Sequence, residues 1–304
     1  MNILISTEFW YTVIAVTTPI LFSGLACLVF FKGGVDAIAT EGIMLFAALI
    51  GVLGSYYSNS WFIGILSGMI SGAFLALVYG VITIKLKSND ILGGVAINTF
   101  SVGFTVFLMY VLTNQKGSTQ TLANPVIPDL RLPIIENIPF LGAILSQQNL
   151  LTYVSFITVP LLIVLLYRSR VGLRIRTIGE SEDAATSVGL NINKYKIITL
   201  IIAGALAGLG GVYLSMGYVS AFSRDMVAGR GFIGMAAESM GRGTPVGVLV
   251  SALVFGAADA LAKNLQLFNF PSQLINLMPY LITIIATSVY SYIKKKQSEK
   301  RVGV

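Results

Sequence analysis

The sequence predicts an all-α bundle of transmembrane helices, and three observations lead to this fold class. Apolar residues make up 55% of the 304-residue chain and charged residues only 11%, whereas soluble globular proteins carry roughly 25% charged residues. The mean hydropathy is +0.83. Several apolar runs reach the length of about 20 residues that a membrane-spanning helix needs, and they are too long for the strands of a transmembrane barrel. We therefore expect a single membrane domain with about eight or nine spans.

The apolar segments give the order of these spans. They lie at about 10–31, 38–57, 61–84, 91–113, 150–167, 197–220, 226–241, 244–262 and 274–293. The segment at 226–241 is short and rich in glycine, so it fits a half-helix or re-entrant segment better than a full span. In the first segment, Pro19 frees a backbone carbonyl, which we expect a neighbouring Thr hydroxyl to satisfy.

Counting 226–241 as a crossing gives nine, with the N-terminus outside and the C-terminus in the cytoplasm. Of the 20 Lys and Arg residues, this orientation leaves only five outside, as expected if basic loops stay in the cytoplasm. Those five are Lys116, Arg131, Arg224, Arg230 and Lys263. The net charge of +7 is thus explained by membrane orientation, and no soluble basic domain is present to bind nucleic acid.

Three polar regions connect or follow the spans. The long external loop 114–149 contains four prolines, and it could receive a soluble partner or cap the bundle. The loop 168–196 and the basic tail 294–304 lie on the cytoplasmic side.

Small residues recur at four-residue intervals in several spans. They are Gly64, Gly68, Gly72, Ala76 and Gly80; Gly204 and Gly208; and Ala252, Gly256 and Ala260. Such ridges allow helices to approach closely. We expect tight packing within the chain, with dimerisation through one of these faces as the alternative.

The 168–196 loop has the features of a docking element. A helix of about two turns is predicted over Glu182–Val188, with Ser181 as its N-cap, acids in its first turn and Gly189 closing it. Ala184, Ala185 and Val188 would share one small apolar face. A membrane protein that presents such a helix to the cytoplasm is expected to have a soluble partner with a matching cleft.

Acidic and amide groups inside the membrane are candidates for a translocation path. Asp36 and Glu41 lie in a Gly-flanked break at 33–42, where irregular backbone is tolerated if it lines a cavity. Asn98 could line the path or join helices, and Glu238 is placed near Arg242. Asp259 is expected to pair with Lys263 four residues later.

Catalysis, metal binding and nucleotide binding are not predicted for this chain. It contains no histidine and one cysteine, which leaves no metal-binding or nucleophilic cluster. The pattern G-x-x-x-x-G-K-[ST] is absent, so no phosphate-binding loop of that kind is present. We expect no catalytic, cofactor or metal residue here, and any ATP hydrolysis must occur on another protein.

The stretch TIGESEDAATSVGLNINKYKIITLIIAGALAGLGGVYLSMG (177–217) resembles permease subunits of bacterial ABC importers for sugars, branched-chain amino acids and nucleosides. The matching positions are Gly179, Glu182, Ala184, Ala185, Gly189, Leu190 and Asn191. In that family the segment is the coupling helix that docks on the ATPase. The resemblance implies an ATPase-docking set of Gly179, Glu180, Ser181, Glu182, Asp183, Ala184, Ala185, Val188 and Gly189.

Two earlier stretches look like the second permease of nucleoside-type importers served by basic membrane lipoproteins. They are TTPILFSGLACLVFFKGGVDAIATEGIMLFAALIGVLGSYY and KLKSNDILGGVAINTFSVGFT. The chain departs from that subgroup where its Asn-Ile-Gly-x-Glu-Gly turn reads Asp36-Ala37-Ile38-Ala39-Thr40-Glu41-Gly42, and at Glu238, which is normally apolar.

The resemblance implies a subunit of the bacterial cytoplasmic membrane that imports a small neutral solute. Its expected partners are a homologous second permease, cytoplasmic ATPases that hold Mg–ATP, and an extracytoplasmic substrate-binding lipoprotein. Nucleosides are the expected substrates, with sugars or branched-chain amino acids as alternatives. A stand-alone secondary transporter or channel is the alternative of another class.

Overall fold

The computed structural model describes residues 6–114, 117–120, 122, 124–131 and 141–266, and these are mostly helical. In chain order the elements are α1 (Thr7–Lys32), α2 (Thr40–Ser58), α3 (Trp61–Gly80), α4 (Asp90–Thr113), β1 (Asp129–Leu130), α5 (Leu141–Leu145), β2 (Gln148–Asn149), α6 (Leu150–Ile163), α7 (Arg170–Glu180), α8 (Glu182–Ser187), α9 (Ile192–Val212), α10 (Arg230–Met240) and α11 (Pro245–Gln266). Wider π-helical turns extend α3 over Val81–Lys85, α6 over Val164–Arg168 and α9 over Tyr213–Tyr218.

Seven helices within the described ranges are long and apolar enough to cross a membrane: α1, α2, α3, α4, α6, α9 and α11, with the π-helical turns included. They match seven of the predicted segments. The predicted short segment at 226–241 is the 11-residue helix α10, which is about 16 Å long at 1.5 Å per residue and thus too short to span a bilayer. The predicted span at 274–293 and the basic tail lie outside the described residues.

Side-chain caps explain where several helices begin. Ser6 Oγ accepts a hydrogen bond from Phe9 N at the start of α1, and Asn89 Oδ1 accepts one from Ile91 N at the start of α4. Asn149 and Asn191 cap α6 and α9 in the same way. Each cap satisfies a backbone N–H that has no partner within the helix.

Helix α1 is the central helix of the bundle. In its most apolar 18-residue window, 94% of the residues are buried. Glycines let its neighbours approach closely: a Cβ added at Gly256 of α11 would lie 2.0 Å from Thr17 Oγ1, and one at Gly234 of α10 would lie 2.2 Å from Ser23 Oγ. Helices α10 and α11 therefore pack directly on α1.

The glycine ridges are used for packing inside the chain, as predicted. A Cβ added at Gly72 of α3 would lie 2.4 Å from the backbone oxygen of Gly204 in α9. In the reverse direction, a Cβ at Gly208 would lie 2.6 Å from the Gly68 oxygen. Helices α3 and α9 thus meet backbone to backbone, the arrangement that small residues allow inside membranes.

A neighbouring Thr hydroxyl was predicted to donate to the backbone carbonyl that Pro19 leaves free, and this prediction is wrong. Thr17 and Thr18 donate to the carbonyls of Val13 and Ile14, four residues earlier. Because proline has no N–H, the carbonyl of Ala15 loses its usual helical donor. The hydroxyl of Tyr213 in the π-helical turn supplies that donor, at 2.9 Å.

Short connections make consecutive spans antiparallel, so the molecule has two membrane ends. One end, here called the basic end, carries Lys32, Lys85, Lys87, Arg168, Arg170, Arg174, Arg176, Lys194, Lys196 and Arg242. The opposite end carries Arg131, Arg224 and Lys263. Helix α10 begins beside Ser23, whose hydroxyl donates to Arg230 O, and it ends near Lys32 at the basic end.

The long loop is ordered where the structure describes it. Its described residues 117–120, 122 and 124–131, here called the strap, cross the end opposite the basic end. Ser55 Oγ donates to Pro125 O at 2.7 Å, Ile127 N donates to Met216 O at 3.2 Å, and β1 pairs antiparallel with β2. The strap is therefore tied to α2, α9 and the start of α6.

Candidate functional site: the docking helix and the break between α1 and α2

The helix predicted over Glu182–Val188 is present at the basic end as α8. Ser181 Oγ accepts a hydrogen bond from Ala184 N at 3.3 Å, and Glu182 and Asp183 lie in the first turn. Gly189 has φ +76, the left-handed conformation that ends helices. The predicted N-cap, first-turn acids and closing glycine are all confirmed.

The predicted apolar face of α8 is wrong for one of its three residues. Ala185 is completely buried and packs with Ile175, Ile178 and Tyr195 in a small apolar cluster. Val188 is 71% exposed, and Ala184 is exposed as well. Ala185 therefore holds α8 against α7 and α9, while Ala184 and Val188 face away from the chain.

Charged groups also attach α8 to the bundle. Lys196 Nζ lies 2.5 Å from Glu182 Oε1, beside a polar groove that Lys87 also lines. The Glu182 side chain is 49% exposed, and ion pairs this exposed contribute about 0–1 kcal/mol. The pair orients α8, whereas the buried Ala185 cluster supplies most of its attachment.

Two arginines of the loop 168–196 make contacts within it. Arg174 donates to the Tyr195 hydroxyl and lies over its ring. Arg176 donates to Leu166 O at 3.0 Å and lies 4.7 Å from the centre of the Tyr167 ring. These contacts join α7 to α6 and α9. Residues 170–189, with α7 and α8, thus form a packed unit, here called the docking unit.

The docking unit touches the break between α1 and α2 through glycine. A Cβ added at Gly179 would lie 2.3 Å from Lys32 O and 3.1 Å from Gly34 N. Gly34 itself has φ +69. A displacement of α7 relative to the bundle would therefore press directly on the backbone of the break.

The break is held by side chains from α3 and α4. Asn98 donates from Nδ2 to Ile38 O at 2.9 Å and accepts from Gly42 N through Oδ1 at 2.8 Å. The Tyr79 hydroxyl lies 3.1 Å from Asp36 O and 3.2 Å from Asp90 O. Asn98, one of the residues predicted for the path, thus spans both sides of the turn into α2.

Glu41 binds the start of α10. Its Oε1 accepts from Gly229 N at 2.8 Å, and its Oε2 accepts from Gly231 N at 2.7 Å. The carboxylate therefore caps the positive end of the α10 dipole. Three predicted path residues, Asp36, Glu41 and Asn98, come together around the break.

Glu238 lies apart from these three, in the part of α10 nearest the basic end of the molecule. It is 7% exposed. A Cβ added at Gly243 would lie 3.0 Å from Lys32 Nζ and 3.4 Å from Glu238 Oε1. Lys32, which the sequence did not suggest as a neighbour, is thus a cation close to Glu238.

Asp259 forms the ion pair expected from its spacing, with Lys263 Nζ 3.3 Å from Oδ2. Arg230 Nη2 lies 3.9 Å from the same oxygen, a contact that the sequence did not suggest. Within the described residues, no group of three or more Asp, Glu, Cys or His side chains could hold a metal ion.

Comparison with known protein families identifies the class of this chain. The family described as "Branched-chain amino acid transport system / permease component" matches residues 10–287. The chain belongs to this permease family. As in the sequence-based prediction, it is a transport subunit of the permease type and a multi-pass membrane protein.

Named relatives cover nearly the whole permease. The nucleoside ABC transporter permease protein NupC of Lactococcus lactis subsp. cremoris is 30% identical, covering 90% of this chain and 89% of NupC. The guanosine ABC transporter permease protein NupQ of Bacillus subtilis is 29% identical, covering 94% and 92%. TsgC13 of Haloferax volcanii, named for glucose, is also 29% identical, covering 94% and 92%.

The Lactococcus strain has a second related permease, NupB, which is 23% identical and covers 86% of this chain and 74% of NupB. One strain thus has two permeases that are named for nucleoside transport and are similar to this chain. The resemblance read from the docking loop and the front of the chain is confirmed at the level of the family.

Proposed function

We propose that this chain is one permease of an ATP-driven importer that carries nucleosides into the bacterial cytoplasm. The similarity to NupC and NupQ over about nine-tenths of the chain carries the substrate assignment. Its partners are a homologous second permease, ATPases that bind Mg–ATP, and an extracytoplasmic substrate-binding lipoprotein. NupB, which occurs in the same strain as NupC, supports the pairing of two permeases.

The exposed surface of the docking unit is the proposed contact with the ATPase. The exposed residues there are Glu180, Ser181, Asp183, Ala184 and Val188. Ala185 is buried and packs α8 against α7 and α9. Gly179 contacts the break and Gly189 ends the helix. ATP-driven movement of the ATPase would then shift α7 and α8 and, through Gly179, the start of α2.

The break and the part of α10 nearest the basic end of the molecule are proposed to shape the translocation path. Asn98 and Glu41 use their polar atoms to hold backbone, so their contribution is to position the path wall. Asp36 lies in the break, and Glu238 lies in α10. A wall with few free charges suits a neutral solute, which is bound by apolar surface and a few polar contacts.

Uptake experiments test the substrate. In a strain that lacks this gene, we expect uptake of radiolabelled nucleosides to fall to background while uptake of pentoses and hexoses is unchanged. Unchanged nucleoside uptake would contradict the proposal, and loss of hexose uptake alone would favour a sugar permease, as the name of TsgC13 suggests. The purified chain should transport nothing without the ATPase, whereas a stand-alone transporter would need no partner.

The orientation can be tested with cysteine chemistry, because the single native Cys27 is completely buried. We propose that the basic end is cytoplasmic, as the positive-inside rule requires. In intact cells an impermeant maleimide should label Gln120→Cys in the strap, and it should label Leu86→Cys, which is exposed at the basic end outside the docking unit, only after permeabilisation. The reverse pattern would contradict the orientation.

A further inference from the structure

The segment 219–229, which joins α9 to α10, is bound to the strap. Thr119 N donates to Phe222 O at 2.9 Å, and Phe222 N donates to Thr119 Oγ1 at 2.9 Å. Arg224 N donates to Gly117 O at 3.0 Å. A displacement of the strap would therefore displace this segment.

The end of the same segment is held from two sides. On one side, Glu41 accepts hydrogen bonds from Gly229 N and Gly231 N. On the other, Arg230 Nη1 donates to Val227 O at 3.0 Å, while its Nη2 faces Asp259 of α11. Between them Ala228 has φ +49, a left-handed conformation that non-glycine residues keep only where the surroundings impose it.

Glu41 also belongs to the break. It lies in the first turn of α2, next to Gly42, whose N–H donates to Asn98. Gly34, at the other end of the break, packs on Gly179 of the docking unit. The Glu41 carboxylate thus connects two elements. One is the segment 219–229, which is bound to the strap at one membrane end. The other is the break, which contacts the docking unit at the opposite membrane end.

We infer that Glu41 is a positioning residue that makes the strap and the docking unit move together. Its two oxygens hold the start of α10, so a shift of the 219–229 segment is transmitted to the break and to Gly179. The same contact works in the opposite direction, because coupling between two sites is reciprocal. The role in transport rests on the proposed function, whereas the mechanical connection does not.

The variant Glu41→Gln tests the connection. Glutamine keeps the length of the side chain, but its amide nitrogen cannot accept a hydrogen bond, so one of the two backbone donors loses its partner. The matched control is Ser215→Ala, which removes a buried hydrogen bond from α9 to Ala48 O of α2 (2.8 Å) without touching α10. Both variants are compared with the wild type in the full complex and as the full chain alone.

In the full complex we expect Glu41→Gln to reduce the stimulation of ATP hydrolysis by loaded binding protein by about tenfold. Ser215→Ala should keep the wild-type stimulation, because its lost hydrogen bond does not involve α10. Equal stimulation in Glu41→Gln and Ser215→Ala would overturn the inference. A wild-type complex without ATP-dependent uptake would instead refute the proposed function.

Hydrogen exchange of the full chain in detergent tests the connection without transport. Glu41→Gln should speed exchange both in 219–232 and in 33–40, whereas Ser215→Ala should change neither. Faster exchange in 219–232 alone, or in neither region, would overturn the inference. If Glu41→Gln does not fold, Thr119→Val serves instead, because it removes the acceptor for Phe222 N at the strap and should speed exchange in 219–232 and, through Glu41, in 33–40.

Discussion

Replacing Val188 by glutamate is expected to abolish uptake by the assembled importer while the chain still folds and inserts. Val188 is 71% exposed at the end of α8 and contributes nothing to the buried cluster. A carboxylate at an interface that excludes water would be left without a partner. We expect at least about a tenfold loss of uptake, the effect of losing a central interface residue, together with loss of the ATPase on co-purification.

The matched control for Val188→Glu is Leu86→Glu. Leu86 is 69% exposed at the same membrane end, between α3 and α4. It receives the same charge but lies outside the docking unit, so uptake should be retained. Equal losses in both variants, or full uptake with Val188→Glu, would contradict the docking surface. A tryptophan at the buried Ala185 would be a poor test, because it would disrupt the packing of α8 itself.

Replacing Gly72 by leucine is expected to prevent the bundle from assembling. Even a Cβ there would lie 2.4 Å from Gly204 O and 2.9 Å from Gly208 Cα. Both neighbours are backbone atoms, so no side-chain rotation can relieve the contact and α3 must separate from α9. Overpacking alone costs about 1–3 kcal/mol, and separating the two helices also removes their van der Waals contact.

Size-exclusion chromatography of a fluorescent fusion measures this effect. Gly72→Leu should give aggregated protein or none, and Gly72→Ala should give an intermediate yield. Gly103→Leu on α4 is the control, because a Cβ there meets no atom within 4 Å. A monodisperse peak for Gly72→Leu would show that the backbone contact between α3 and α9 is not required.

The features predicted correctly from sequence are those that depend on neighbouring residues. Apolar runs located the seven described spans, and the cap chemistry of Ser181 and Gly189 located α8. The small-residue spacing of α3 predicted close packing because it depends only on residues of one helix face. Local patterns also contained α7, since Val171, Ile175 and Ile178 recur with helical spacing, but within the loop 168–196 only the helix at Glu182–Val188 was predicted.

Contacts between distant residues could not be predicted in this way. Glu41 pairs with amides 188 and 190 residues later, and backbone N–H groups carry no residue-specific signal. The donor for the Ala15 carbonyl is Tyr213, 198 residues away, although two threonines lie beside Pro19. Ala185 looked suitable for an outer face because its partner Tyr195 belongs to the next helix.

The strap also constrains the order in which the protein can be completed during synthesis. Thr119 and Phe222 are 103 residues apart, so the ribosome must add those residues, in roughly 5–20 s, before the bond can form. Until α9 and the segment 219–229 have been made, the strap has its contacts with α2 and β2 but lacks those with Met216 and Phe222. The bond between Thr119 and Phe222 can therefore form only after α9 has been synthesised, and a nascent chain truncated before Phe222 would lack it.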